Sequence, residues 1–88
     1  MPKTIHELKL EEQFAWSVIT GDKRFEIRLN DRGYQKGDII RFTAVNANRI
    51  TIYDHPINKM QFEITYVLNG WGLKEGYVAF GIREMEGE

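Results

Sequence analysis

Gly21-Asp22-Lys23-Arg24-Phe25-Glu26-Ile27-Arg28-Leu29-Asn30-Asp31-Arg32 crowds charges of both signs onto a stretch that reads as one β-strand. Taking residues 23–30 as the strand, side chains alternate between its faces. Phe25, Ile27 and Leu29 then point one way, and Arg24, Glu26, Arg28 and Asn30 the other. A charge removed from water needs a partner, so a row of this kind is costly to bury. Two readings follow. The row is either the solvated outer face of a sheet, or a set of anion-binding cations held in place by a carboxylate.

The surrounding chain sets the frame for that strand. Its 88 residues make one domain with a single core, burying roughly 60–65 % of the surface of the unfolded chain. With 42 % apolar and 28 % charged residues, the composition is that of a soluble globular domain. There is no cysteine, which excludes disulfides, thiolate metal sites and thiol nucleophiles. No apolar run approaches the ~20 residues of a membrane helix, and the first residues carry no signal-peptide core. A cytoplasmic protein without a membrane partner is expected.

Net charge is −1, but its distribution is uneven. From Lys23 to Arg41 six cations face three anions, a local balance of +3, while Glu84, Glu86 and Glu88 leave the end acidic.

Periodicity places the remaining elements. Residues 4–10 alternate as a strand, with His6, Leu8 and Leu10 on one side. Residues 11–20 form the one helix. Phe14, Ala15, Val18 and Ile19 make its stripe, Trp16 lies off it, and Gly21 serves as a left-handed cap. Turns follow at 31–33 and 36–38. Strands are predicted at 39–45, at 49–53 and at 60–68, where Met60, Phe62, Ile64, Tyr66 and Leu68 face inward. A glycine-rich loop at 69–76 leads to a last strand at 77–83 with Val78, Phe80 and Ile82 on one side. The pattern predicts a mainly β (α+β) domain: a small barrel of five or six strands with one flanking helix, which hides sheet edges in a short chain.

Several chemistries lack their parts. Ser17, the only serine, sits within the helix without a glycine elbow. His6 and His55 are not tied by spacing to a second metal ligand, and no phosphate-binding loop is present, so neither metal nor cofactor is expected. A lone His6 on the core side of a strand reads first as a hydrogen-bonded packing residue. Lys23 beside Glu26 offers an acid/base pair if the lysine is desolvated. Binding features are better represented: the cations of the charged strand are accompanied by Tyr34, Trp71 and Tyr77, and cations with stacking aromatics are the parts of a single-stranded nucleic-acid site. Trp71 also fits a loop anchor packed on the barrel rim, and Tyr77 a strand-start residue.

The string Gly21-x-Lys23-x-x-Glu26-x-Arg28, between a short helix and a run of strands, resembles the ASCH domain, the activating-signal-cointegrator homology family of the PUA-like superfamily. The likeness extends to small bacterial and phage-borne ASCH-like proteins. It runs through His6-x-Leu8-Lys9, Phe25-Glu26-Ile27-Arg28-x-Asn30-Asp31-Arg32, Gly37-Asp38 and Gly72-Leu73-Lys74-x-Gly76-Tyr77-Val78, nearly the whole chain. It implies a PUA-like barrel with a cleft between barrel and helix, where the motif lysine and glutamate meet around RNA or a nucleotide-like ligand. One enzymatic branch of the family hydrolyses acylated cytidine with the motif lysine, a threonine hydroxyl and a later glutamate. Here Glu26 stands where that threonine aligns.

The leading expectation is therefore a monomeric module binding RNA or a modified base. In it Arg24, Arg28 and Arg32 contact phosphates, Lys9 and Lys23 line the cleft, and Glu26 and Asn30 read a base edge. His6, Trp71 and Tyr77 complete the set, with His6 and Tyr77 expected close to Lys23 and Glu26. The alternatives are a small hydrolase acting on a modified nucleoside, centred on Lys23 and Glu26, and an interaction domain whose charged row is a salt-bridged strand.

Overall fold

The computed structural model describes residues 3–86, so Glu88 of the acidic end lies outside it. In chain order the elements are β1 (Ile5–Glu11), α1 (Glu12–Thr20), β2 (Phe25–Leu29), β3 (Ile39–Val45), a 3₁₀ turn (Pro56–Lys59), β4 (Gln61–Asn69) and β5 (Tyr77–Glu84). The five strands form one sheet in the order β1-β3-β4-β5-β2. β1 runs parallel to β3, and the other pairs are antiparallel. The sheet curls into a half-barrel with β1 and β2 as its two edges. Leu8, Leu10, Ile40, Phe42, Phe62, Ile64, Val78, Phe80 and Ile82 fill its concave side. The mainly β domain with five strands and one helix is the architecture that the alternation predicts.

α1 follows β1 directly and packs on the core through Ala15 and Val18, with Ile19 partly covered. Gly21 ends it with φ 86°, its N–H donating to the Val18 carbonyl at 3.2 Å. Phe14, expected to pack on the core, is half-exposed instead. Fully buried Ala15 marks the point of closest approach, and at about 100° per residue Phe14 falls on the flank of the helix.

Three further expectations are corrected. Residues 49–53 do not form a strand; only an isolated bridge joins Val45 to Thr51. The Asn46 side chain accepts the N–H groups of Asn48 and Ile50, which turns the chain, and Asn58 Oδ1 takes the Ala44 N–H at 2.8 Å. Nearby, Ile57 of the 3₁₀ turn is fully buried as a plug that alternation did not reveal. In β4 a bulge between Ile64 and Tyr66 adds one residue, so Tyr66 is 65 % exposed rather than inward. Gly81 permits it: a Cβ there would lie 2.6 Å from Thr65 Oγ1. Most consequential is β2. Its apolar residues face solvent and its charged row faces the barrel: Phe25, Ile27 and Leu29 are 49, 52 and 50 % exposed, whereas Glu26 is 3 % exposed. A wholly solvated charged face is thereby excluded.

Candidate functional site

The polarity of β2 follows from its place as a sheet edge. Among the described residues no backbone ladder joins it to β1, the other edge. Arginines span the gap instead: Arg28 Nη2 donates to the Lys9 carbonyl at 2.9 Å, and Arg32 Nη1 to the Glu7 carbonyl at 3.1 Å. Buried Glu26 holds this bridge from behind. Its Oε1 accepts from Arg28 Nε at 3.0 Å and lies 2.9 Å from Arg28 Nη2, while its Oε2 accepts from Lys23 Nζ. Charge-assisted bonds of this kind are what make a buried carboxylate tolerable.

Strict alternation would set Lys23 and Glu26 on opposite faces. They meet because β2 begins only at Phe25, leaving Lys23 in the irregular entry that follows the Gly21 cap. There the Lys23 backbone N–H donates to the Ser17 carbonyl at 2.9 Å, and its ammonium donates to the Phe25 carbonyl at 2.7 Å. The same ammonium lies 5.6 Å from the Phe14 ring centroid and 4.9 Å from that of Phe25. The two half-exposed rings thus flank a cation already tied to a carboxylate, a favourable cation–π arrangement.

Around this network lies a cleft of about 360 Å³, lined by Lys9, Leu10, Glu11, Phe14, Lys23, Phe25, Glu26, Ile27, Arg28 and Arg49. Four cations face two carboxylates there, a local balance of +2. Glu11 accepts from the Gln13 side chain at 2.8 Å. Among the described residues, the side chains of Lys9 and Arg49 make no hydrogen bond or ion pair, so two cations at the cleft stand open to a ligand.

Arg49 is the residue that sequence reasoning missed. It adopts φ 66° at the end of the turn that Asn46 organises, its N–H donating to the Asn46 carbonyl at 2.9 Å. The Asn-rich turn was a usable local signal. What it faces was not, because Arg49 reaches the cleft through the parallel register that sets Val45 beside Glu11.

Of the other expected site residues, none lines this cleft. His6 is buried in the core, its Nε2 2.8 Å from Asp38 Oδ2 and its ring 4.8 Å from that of Tyr34. This is the packing role. Burial holds the Tyr34 phenol above its usual value near 10, against the opposing pull of Arg28 and Arg32. Arg24 folds back onto the Gly21 carbonyl at 2.8 Å and lines a separate hollow of about 300 Å³ at the helix C-terminus. Arg32 is spent on the β1 edge. Asn30 accepts the Tyr34 N–H at 3.2 Å, and with Tyr77 it lines a groove of about 490 Å³ under the glycine-rich loop. The expected nearness of Tyr77 and His6 to Lys23 and Glu26 is therefore not realised. Trp71 is 89 % exposed at φ 54°, which removes its reading as a packed rim anchor. That groove is the larger hollow, but Lys74 is the one cation lining it, so we place the candidate site where cations converge.

No group of three or more potential metal-ligating side chains occurs among the described residues, and no helix there is long and apolar enough to cross a membrane. No curated protein matches the chain. A family model does, over residues 5–82, from the start of β1 into β5 and so across every element that builds the cleft: the chain belongs to the DUF3850 family, a domain of unknown function.

Proposed function

We propose that the cleft binds a phosphate-bearing nucleotide, free or as one unpaired residue of an RNA strand. The observation that carries this reading is the convergence of Lys9, Lys23, Arg28 and Arg49 beside the half-exposed rings of Phe14 and Phe25. The open cations, Lys9 and Arg49, meet the phosphate, and a base stacks on one phenylalanine, an interaction of about 1–3 kcal/mol. Glu26 has both oxygens engaged, so its part is to fix Lys23 and Arg28 rather than to read a base edge. The likeness of Gly21-x-Lys23-x-x-Glu26-x-Arg28 to ASCH domains supports the same reading, and a cytoplasmic setting goes with it. Hydrolysis of a modified nucleoside has less support, since no hydroxyl or thiol lines the cleft.

Fluorescence anisotropy with a short labelled single-stranded RNA tests the proposal. Engaging about two to four phosphates gives a log–log salt slope of about −1.4 to −2.8. Arg49→Ala should weaken binding and flatten that slope by about 0.7. Phe14→Ala should weaken binding at an unchanged slope. Tighter binding to duplex of the same length, or an Arg49→Ala variant indistinguishable from wild type, refutes it.

A further inference from the structure

The glycine-rich loop between β4 and β5 carries a cost that the cleft does not explain. Gly70, Trp71 and Gly72 take left-handed conformations in succession, at φ 71°, 54° and 90°. Glycine adopts that conformation freely, but for a bulky side chain such as tryptophan it is strained. The Leu73 N–H donates to the Gly70 carbonyl at 3.1 Å and closes the turn, so the indole is held in place. It is held outward, 89 % exposed. A strained backbone that presents an aromatic face to water, with no gain from the chain's own packing, has the pattern of a ligand contact.

Beside the loop lies the groove of about 490 Å³. Its polar parts are Lys74, whose ammonium sits 5.9 Å from the Tyr77 ring centroid, and the side chains of Asn30 and Asn69. Among the described residues the side chains of Lys74 and Asn69 make no hydrogen bond or ion pair. Asn30 uses its carbonyl oxygen on the Tyr34 N–H, which leaves its amide N–H groups open. Asparagine amides match the edge of adenine. Glu75 offsets the charge of Lys74 there, so the groove lacks the electrostatic hold of the cleft. The two hollows are nevertheless joined: Arg28 of the cleft wall pairs with Val78 of the groove wall, and Asn30 follows two residues later. From Ile27 to Asn30 the chain spans about 10 Å, the rise of about three stacked nucleotides at about 3.4 Å each.

We propose that the groove and Trp71 take a second nucleotide, adenine by preference, from the same RNA strand whose phosphate-bearing nucleotide fills the cleft. The inference rests on the cleft being a nucleotide site. The cleft anchors the strand, and that tether raises the effective concentration of the second base at a groove too weakly charged to hold a free nucleotide. The base stacks on the indole, Asn30 and Asn69 meet its edge, and Lys74 meets the adjoining phosphate. A tryptophan alone would equally suit a protein contact. The open amides and cation beside it, and the short path from the cleft, favour the nucleotide.

Amide-shift titrations of the full chain with adenosine monophosphate and with a tetraadenylate RNA test this, with affinities taken from the same series. The monophosphate should move Lys9, Arg28 and Arg49 of the cleft and leave the loop still. The tetranucleotide should also move Asn69, Gly70, Gly72 and Gly76, and bind at least about 10-fold more tightly. In a Trp16→Phe background, which leaves Trp71 as the sole indole, only the tetranucleotide should quench fluorescence. Trp71→Ala should weaken tetranucleotide binding by about 10-fold and leave monophosphate binding as in wild type, and Trp71→Phe should recover part of the loss. A tetranucleotide that moves the cleft but not the loop overturns the proposal and leaves the cleft standing as a nucleotide site. So does a folded Trp71→Ala variant that binds the tetranucleotide as wild type does. Cleft residues unmoved by either ligand refute the nucleotide site and this extension of it together. The wild-type titrations decide the matter even if a variant fails to fold.

Discussion

Replacing Glu26 by glutamine should move stability and ligand affinity in opposite directions. The carboxylate is buried and shared by Lys23 and Arg28, and removing one member of a buried ion pair costs about 3–5 kcal/mol. That figure must be discounted here, because the Lys23 and Arg28 side chains keep 19 % and 24 % exposure and can regain water. The amide also retains one acceptor oxygen. The expected loss is about 2 kcal/mol, or about 8–16 °C in Tm for a domain of this size. Urea denaturation reads it as a lower midpoint at an unchanged slope. In the same variant two cations lose their internal partner, so affinity for a phosphate-bearing nucleotide should rise several-fold. A stability change below about 0.5 kcal/mol would show that the network is solvated and of little weight. Affinity falling together with stability would mean that the placement of Lys23 and Arg28 by Glu26 outweighs the charge they regain, and would refute the expected rise.

Other outcomes follow from single features. Gly21→Ala forces a Cβ into a left-handed position 3.1 Å from Arg24 Nη2; chemical denaturation should show a loss of about 1–2 kcal/mol, with the entry that seats Lys23 disturbed. Glu63 is held below the usual carboxylate range by its hydrogen bond from Arg83 and by nearby Lys3. Its contribution is complete above a pH of about 4.5 and is lost as pH falls through the lowered folded value, so Arg83→Ala should flatten the acid limb of a stability–pH curve. Tyr34 behaves oppositely. With its folded value raised by burial, stability should hold below a pH of about 10 and decline above it, and Tyr34→Phe should remove that decline.

Much of the architecture was legible because alternation and burial agree. In β1 and β5 the residues sharing a face are also the residues that are buried, and in β3 that face is joined by Ile39 and Val45, buried on the opposite one. β2 shows where this reasoning stops. Alternation tells which side chains lie together, not which side is inside, and the need to bridge two sheet edges turned the charged side inward. Past the β4 bulge a single extra residue reversed the face of Tyr66, a change that no propensity encodes. For the site, Lys23, Glu26 and Arg28 were legible as a local cluster. Lys9 was placed there by resemblance. Arg49 was not legible at all, since it depends on pairing between β1 and β3, far apart in the chain.

The order of the sheet also dictates when the cleft can exist. β2 pairs with β5, Phe25 with Gly81 and Leu29 with Tyr77, so it waits on a partner roughly fifty positions further on. Loop closure over that length precedes any reward from pairing, which makes docking of the charged strand a late event in folding. During synthesis the β1–α1 segment leaves the ribosome long before its counterpart wall can form. An mRNA-encoded chain stopped before residue 77 would therefore contain every residue of the cleft and still have no site.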